Sequence, residues 1–324
     1  MKKAADPPYP PLLIIPLGIA AVSTASVFIR YAQAYAPSLT IAAFRLSLAV
    51  LFLSPYIVLR HRQDLKRFSR RDLIFALLAG LLLAVHFASW ITSLEYTTVA
   101  SSVVLVSTTP LWVAVAAPLL LGEKSSWGVI GGMLLSLVGG GVVAVSDTCT
   151  GFGTQLTCPS WEMFVTQRAF LGDILAVLGA ISGAGYLMIG RHLRRKFSLA
   201  PYIFIVYGTA AIYLICGMLI VDGLPAGYPP RVYFWLILLA VVPQLMGHSI
   251  FNWALRYLPA GYVSVTLLGE PIASTFLAYI FLREKPIQLK IIGAILILAG
   301  IAVASWTQSP LETSSPTEFK DGKR

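Results

Sequence analysis

The chain has 324 residues, of which 57% are hydrophobic and 12% charged, and its mean hydropathy is +0.79. Charged residues make up about 25% of an ordinary soluble domain, so this composition excludes a soluble globular protein and indicates an integral membrane protein. The net charge of +10 does not favour a nucleic-acid-binding protein, because the basic residues cluster in short loops between apolar segments, as topology anchors do.

A membrane-spanning helix needs about 20 mostly apolar residues, and the chain offers ten such segments. They cover roughly residues 11–29, 38–59, 73–92, 99–121, 127–145, 171–190, 199–221, 232–254, 260–282 and 287–306. Little sequence remains outside them. The chain is therefore predicted to be all-α, with ten transmembrane helices and no sizeable soluble domain.

The distribution of basic residues predicts the orientation of these helices. If the N-terminus is cytoplasmic, most of the 24 lysines and arginines lie on the cytoplasmic side, including the runs RHRQDLKRFSRR and RHLRRK. This positive-inside bias places both termini in the cytoplasm. We expect a multi-pass protein of the cell inner (plasma) membrane. The basic and apolar N-terminus resembles a signal peptide. However, residues 21–25 match residues 180–184, and a segment that is removed would not form part of a repeat. We therefore interpret this segment as the first transmembrane helix.

One stretch of sequence occurs twice. Residues 94–124, LEYTTVASSVVLVSTTPLWVAVAAPLLLGEK, align with residues 255–285, LRYLPAGYVSVTLLGEPIASTFLAYIFLREK, at a constant offset of 161. Each half of the chain contains five spans, an odd number, so the second half enters the membrane with the opposite orientation. We therefore expect two inverted five-helix repeats, residues 1–145 and 171–306. An extracytoplasmic loop, 146–170, would separate them, and a disordered cytoplasmic tail, 307–324, would follow.

Arg45 is the first candidate functional residue, because it lies well inside an apolar span. A charged side chain near the bilayer centre is unfavourable by a few kcal/mol and should face protein or water. A guanidinium presents a two-pronged donor set that matches a carboxylate, so Arg45 is a candidate substrate-binding residue. The alternatives are a structural contact with helix carbonyls or Glu270, or an extended side chain that reaches the outer interface.

Glu270 lies midway along the ninth span, directly before Pro271. Proline removes a backbone donor and disturbs the preceding turn, which leaves polar backbone at membrane depth. Burial favours the protonated form of a carboxyl group, so Glu270 is a candidate proton-coupling residue. The alternative is a packing role in which Glu270 is hydrogen-bonded across the helix bundle.

The third and eighth spans carry polar and aromatic side chains at helical spacing. His86 and His248 fall one position apart when the repeats are aligned, and imidazoles can bind substrate or relay protons. Trp90 lies one turn from His86, while Gln244 and Asn252 lie one turn on either side of His248. Residues four apart share a helix face, so both spans should present these side chains to the interior as substrate-binding groups. Hydrogen bonding to a neighbouring helix is the alternative for each histidine.

Further candidates lie in the fourth and sixth spans and in the long loop. Ser107, Thr108 and Thr109, before Pro110, either line a cavity or bond back to helix carbonyls. Tyr186 is an aromatic substrate-binding candidate on a glycine-rich span. Cys149 and Cys158 would face an oxidising compartment, which favours a disulfide over two free thiols. The sequence indicates neither a metal site nor a cofactor.

Three stretches carry a resemblance to a known family. They are the duplicated hairpin with its Pro and Glu-Lys positions, the second-half opening LGDILAVLGAISGAGY at 171–186, and Arg45 in the second span. Together they resemble the two EamA-type repeats of the drug/metabolite transporter superfamily, over residues 12–306 except the loop. The resemblance implies a ten-helix inner-membrane carrier, often an exporter of amino acids or other small metabolites, that works by alternating access.

The function hypothesis is a secondary transporter, in the outward direction, of small polar metabolites such as amino acids, with proton coupling. The partners would be a small-molecule substrate and the lipid bilayer, without nucleic acid, and the chain would be a monomer or a homodimer. Multidrug or organic-cation efflux is the alternative, although the first span lacks the acidic residue that such a mechanism needs. A membrane-embedded enzyme is disfavoured, because the spans contain no HExxH, GxSxG or paired-aspartate motif.

Overall fold

The computed structural model describes residues 9–121, 127–146, 167–225, 227–258 and 260–307, together with Pro7 and Thr157. The pair Cys149 and Cys158 and the predicted C-terminal tail beyond Thr307 lie outside these residues. Apart from the short helix Arg62–Leu65, which follows α2, ten helical segments follow one another along the described chain. We number them α1 to α10, with a and b for the halves of an interrupted helix.

The helices begin and end as follows: α1a Pro11–Ser23, α1b Ala25–Gln33, α2 Ser38–Tyr56, α3 Arg70–Tyr96, α4a Val99–Val106, α4b Thr109–Leu121, α5 Trp127–Ser146, α6 Arg168–Arg194, α7 Leu199–Val221, α8a Pro230–Leu239, α8b Ser249–Ala254, α9a Ala260–Thr266, α9b Gly269–Phe281 and α10 Gln288–Thr307. Two π-helical segments, Ile57–His61 and Ala240–His248, extend α2 and join the halves of α8. Eight segments are long and apolar enough to cross a membrane, and the described apolar stretches of α5 and α10 are shorter.

Proline explains where α4, α8 and α9 are irregular. Proline has no N–H to offer the carbonyl four residues earlier, and its ring collides with that carbonyl. Pro110 thus leaves the Val106 carbonyl without its helical donor, and α4a ends at Val106. Pro271 has the same effect on Leu267, where α9 is interrupted. In α8, Pro243 lies near the start of the π-helical segment, a looser winding often found at functional sites.

Helices α5 and α10 pack against each other through glycines. A Cβ atom at Gly139 would lie 2.8 Å from the Gly293 carbonyl oxygen, and one at Gly293 would lie 2.9 Å from the Gly139 carbonyl oxygen. The two backbones therefore touch without side chains between them, the arrangement that small residues allow in a membrane. Gly139 contacts Gly293, while Gly132 contacts Gly300, so the two helices run antiparallel, as inverted repeats require.

Helices α3 and α6 form the second extensive pair. Gly172 lies against Ser93 and Thr97 near one end of this pair, and Gly185 lies against Leu82 further along. The two helices are consequently antiparallel as well. Helix α7 packs on α2 and α3, so the interior of the described bundle is formed by helices from both halves of the chain.

Polar contacts mark the two ends of α3. At its N-terminus, the Asp72 carboxylate accepts a hydrogen bond from Lys196 Nζ at 2.8 Å. At its C-terminus, Arg30 donates to the Thr97 carbonyl at 3.3 Å and forms an ion pair with Glu284 at 3.0 Å. Lys196 follows α6 and Glu284 follows α9b, so each end of the bundle is joined by contacts between the two halves.

Candidate functional site

A small cavity lies between the two halves, at the level of the helix interruptions. Its volume is about 40 Å³, which is room for about three water molecules. Its lining combines polar and apolar side chains from α3, α4b, α6, α8 and the α9 interruption: Leu83, His86, Thr109, Gly183, Tyr186, Leu187, His248, Phe251, Asn252 and Leu267. Four residues predicted from the sequence to bind substrate, His86, Tyr186, His248 and Asn252, are thus brought together.

The two histidines lie side by side in the cavity wall, with ring centroids 6.4 Å apart. Nδ1 of His86 is 2.8 Å from the Gly179 carbonyl oxygen, and since a carbonyl can only accept, this nitrogen carries a proton. In the neutral ring, Nε2 of His86 is then a free acceptor for a ligand donor. Gly183 makes room for the ring, because a Cβ there would lie 3.1 Å from His86 Nδ1.

Asn252 is the centre of a hydrogen-bonded polar group. Its Oδ1 accepts from the Tyr186 hydroxyl at 2.8 Å, and its Nδ2 donates to the Tyr207 hydroxyl at 3.1 Å and the His248 carbonyl at 2.8 Å. Both ends of the amide are therefore engaged, which determines its orientation. This group connects α6, α7 and α8 behind the cavity. Tyr207 was not among the candidates from the sequence, where α7 reads as an almost uniformly apolar span.

Arg45 is completely buried and does not extend toward a membrane interface. Its Nε donates to Gln244 Oε1 at 2.8 Å. Its guanidinium carbon lies 4.2 Å from the centroid of the Phe87 ring and 5.9 Å from that of Trp90, distances typical of cation–π contacts. Arg45, Phe87, Trp90 and Gln244, which we call the Arg45 cluster, bring α2, α3 and α8 together.

The Arg45 cluster adjoins the cavity without lining it. Phe87 contacts both regions, because its ring centroid is 5.2 Å from that of His248, and Trp90 stacks on His86 at 6.1 Å. The sequence grouped Gln244 with His248 and Asn252 on one face. In the structure Gln244 turns to α2, because residues 240–248 wind as a π-helix and the four-residue rule of an α-helix does not apply to them.

Glu270 lies in the first turn of α9b, where the positive end of the helix dipole favours a negative charge. The side chain is partly buried and interacts electrostatically with Arg45. It forms no hydrogen bond or ion pair with any residue in the described ranges. The carboxyl group is therefore available to a proton or a ligand.

The three residues before Pro110 in the first half divide between the two arrangements that the sequence left open. Ser107 and Thr108 are buried at the interruption of α4 but do not line the cavity, and Thr108 Oγ1 donates to the Leu105 carbonyl at 2.7 Å. Thr109 lines the cavity. Its Oγ1 donates to the Val106 carbonyl at 2.9 Å, which replaces the hydrogen bond that Pro110 cannot make. Thr109 is also the residue that aligns with Glu270 in the repeat.

Within the described part of the chain, no group of three or more His, Cys, Asp or Glu side chains could hold a metal ion. The cavity instead offers imidazole, hydroxyl and amide groups beside an arginine. Such groups can bind a small polar solute by hydrogen bonds and charge.

Comparison with known proteins agrees with this architecture. The model of the EamA-like transporter family matches residues 10–145 and 170–306. An uncharacterized transporter of Archaeoglobus fulgidus is 23% identical over 292 residues, which cover 90% of this chain and 94% of the relative. The pseudopaline exporter CntI of Pseudomonas aeruginosa is 23% identical over 290 residues, or 88% of this chain and 92% of the relative.

A crystal structure with 18% sequence identity superposes with a TM-score of 0.63, covering 91% of this chain and 96% of the other. That likeness concerns the fold alone. The family model matches both halves and leaves out the first nine residues, most of the central loop and the tail beyond residue 306. The chain belongs to the EamA-like transporter family.

Proposed function

We propose that this transporter is a secondary exporter of small polar metabolites, with amino acids and their relatives as the leading substrate class. The observation that carries the proposal is the cavity, because His86 and Thr109 of the first half face Tyr186, His248 and Asn252 of the second across it. A site formed by both halves changes its access when the halves move relative to each other. The relative named as an exporter supports the outward direction.

Alternating access accounts for the small size of the cavity. Sites for small molecules measure about 300–1,000 Å³, whereas this cavity measures about 40 Å³. Contacts between the halves close the bundle at both ends, through Arg30 and Glu284 on one side and through Lys196 and Asp72 on the other. The arrangement corresponds to an occluded state, and release of one set of contacts would open the site to one side.

Glu270 is the residue that we assign to proton coupling. It is an acid at an interrupted, membrane-depth helix, and Arg45 is its electrostatic partner. Protonation of Glu270 would remove the negative charge that faces Arg45 and leave the guanidinium free to interact with an anionic group. Proton entry could in this way be coupled to substrate movement.

The proposed location is the cell inner (plasma) membrane, with both termini and the basic runs on the cytoplasmic side. Arg30, Thr97 and Glu284 would then close the outer end, and Asp72 and Lys196 the inner end. The residue pairs that join the halves lie within one chain, so we expect a monomer or homodimer in which each chain has its own site, without nucleic acid as a partner.

The test is counterflow in proteoliposomes that contain the full-length protein, with a panel of amino acids, other polar metabolites and organic cations. We expect exchange of one or more polar metabolites by the wild type and none by empty liposomes. A protein that moves none of the panel under any gradient would not be a metabolite exporter. Exchange restricted to organic cations would establish the multidrug alternative.

A second measurement isolates the coupling residue. In liposomes with an imposed pH gradient, we expect the wild type to accumulate substrate against its gradient and Glu270→Gln to catalyse exchange only. The control is Asp64→Asn, which removes an acid that pairs with the exposed Arg67 side chain away from the cavity and should keep the pH response. Normal pH-driven accumulation by Glu270→Gln would refute the coupling role.

A further inference from the structure

The Arg45 cluster contains more hydrogen-bond donors than the protein uses. Four of its buried nitrogen atoms have no hydrogen-bond partner within the described residues: Nη1 and Nη2 of Arg45, Nε1 of Trp90 and Nε2 of Gln244. The three side chains that carry them are at most 3% exposed. Buried donors are almost always paired in proteins, because leaving one unpaired is energetically unfavourable. A group of them therefore requires an explanation.

All four unpaired atoms are donors, and the contacts inside the cluster require this. Arg45 Nε can only donate, so the Gln244 atom that it contacts at 2.8 Å must be the oxygen. The nitrogen of that amide is consequently turned away from Arg45 Nε. It lies near the Tyr207 hydroxyl but has no partner at hydrogen-bond distance and angle within the described residues. The indole N–H of Trp90 and the terminal guanidinium N–H groups have no acceptor capacity at all. The cluster is thus complementary to a group that only accepts hydrogen bonds.

The charge of the cluster indicates which hydrogen-bond-accepting group would bind there. Arg45 carries a full positive charge at membrane depth, and Phe87 and Trp90 cover its guanidinium instead of a carboxylate. Glu270 interacts with it electrostatically but forms no ion pair within 4.0 Å. A single guanidinium is balanced by a single negative charge. An ionised carboxylate has that charge, about four lone-pair sites and the spacing that a guanidinium contacts with two parallel hydrogen bonds.

We propose that Arg45, Trp90 and Gln244 form a subsite that binds the carboxylate of the transported metabolite. This inference rests on the proposed export function and narrows its substrate class to carboxylates. The remainder of the metabolite would occupy the enlarged cavity beside His86 and His248. Trp90 and Phe87 contact both regions, so a movement of their rings would connect the subsite with the cavity.

The test compares acids with their neutralised counterparts in binding to the purified full-length protein. The probes are the amino acids and their primary amides, which differ only in whether a carboxylate is present. The readout is the rise in the thermal unfolding midpoint of the detergent-solubilised protein with probe concentration, which reports affinity because a ligand that binds the folded state stabilises it. We expect one or more acids to raise the midpoint and the matching amides to have no effect.

Two tryptophan variants distinguish the subsite from general packing. Trp90→Phe keeps an aromatic ring but removes buried volume and an N–H that has no partner in the protein, so it should lower the midpoint without ligand and weaken acid binding about tenfold. Trp112→Phe is the matched control, because Trp112 Nε1 donates to Thr108 Oγ1 at 3.2 Å. Its midpoint should fall, and its affinity for acids should remain that of the wild type.

Arg45→Lys keeps the charge but not the two-pronged geometry, so a folded variant should bind acids at least tenfold more weakly. The proposal is overturned if acids and amides stabilise the protein equally, if no acid stabilises it, or if Trp90→Phe binds acids with wild-type affinity. A protein that transports acids and amides alike would still be an exporter without this subsite. One that binds acids in this pattern but moves no solute would have the subsite and fail as an exporter.

Discussion

Ser136 donates a hydrogen bond to the backbone carbonyl of Ile297 at 3.2 Å. Ile297 lies 161 residues later, at the position of the second repeat that aligns with Ser136 in the first. A residue meets its own counterpart only where a two-fold axis passes between them. The flanking contacts are exchanged in the same way, since Gly139 meets Gly293 and Gly132 meets Gly300. The pseudo-two-fold axis of the inverted repeats therefore passes between α5 and α10 at these two residues.

The first prediction concerns this contact between backbones. Gly139→Ala would place a Cβ 2.8 Å from the Gly293 carbonyl oxygen and 2.8 Å from the Ile297 nitrogen, so α5 and α10 must separate. We expect the variant to lower the free energy of unfolding by about 1–3 kcal/mol, as over-packing does elsewhere, measured by thermal unfolding in detergent. Gly141→Ala, two residues away with nothing within 4 Å of its Cβ, is the control and should be neutral or slightly stabilising. Equal midpoints for both variants would contradict the close packing.

The second prediction concerns Arg283, whose φ of 60° makes it a positive-φ non-glycine residue of the described chain. It follows the end of α9b, where the Glu284 N–H turns back to the Ala278 carbonyl at 3.3 Å. The first repeat has Gly122 at the aligned position. Because a side chain disfavours this backbone conformation by about 1–2 kcal/mol, Arg283→Gly should raise the unfolding midpoint. Arg283→Ala removes the same charge but keeps a Cβ, so its unfolding midpoint should not rise in this way. An equal rise in both variants would mean that the lost charge, and not the backbone conformation, causes it.

The third prediction concerns Glu284, which joins three segments. Its Oε1 accepts from Arg30 at 3.0 Å and its Oε2 from the backbone N–H of Val99, the first residue of α4a, at 2.9 Å. Glu284→Gln replaces one acceptor with a donor and removes the charge. We expect a loss of about 1–2 kcal/mol in unfolding free energy.

The control for this variant is Asp64→Asn, because Asp64 pairs with Arg67, whose side chain is 73% exposed. Such a surface pair contributes under about 1 kcal/mol, so the control should barely change the midpoint. A Glu284→Gln protein as stable as the control would show that the contact contributes little to closing this end of the bundle.

The fourth prediction concerns the loop cysteines, Cys149 and Cys158. In a Cys216→Ser background, which removes the remaining cysteine of the chain, we expect unfolded protein to take up a thiol reagent only after reduction, because the two thiols are joined in an oxidising compartment. The measurement is the mass of the labelled protein with and without prior reduction. Equal labelling in both samples would mean two free thiols.

Much of the fold can be read from the sequence, because hydropathy and duplication are one-dimensional properties. Ten apolar segments, an odd number per half and a constant offset in the hairpins are enough to predict inverted five-helix repeats. The predicted spans are shorter than the helices at several ends, such as 73–92 against Arg70–Tyr96 for α3. Hydropathy detects the apolar core of a span, whereas hydrogen bonding continues the helix into the polar boundary.

The sequence could not show which residues contact one another across helices. It placed Arg45, Gln244 and Trp90 in the interior, but their partners depend on how α2, α3 and α8 are rotated about their axes. Arg45 and Gln244 are 199 positions apart, and the π-helical winding before His248 changes which way Gln244 faces. The selection of Thr109 over Ser107 and Thr108 for the cavity has a similar origin, since the break before Pro110 redirects the chain.

The sequence by itself determined the ten-helix membrane architecture, the inverted duplication and the identity of the polar groups, because each follows from composition, spacing or self-comparison along the chain. The tertiary structure decided how those groups combine. It placed two histidines 6.4 Å apart, separated the Arg45 cluster from the cavity and brought Ser136 to Ile297 on the axis. These are consequences of helix rotation and packing, which depend on all the helices at once.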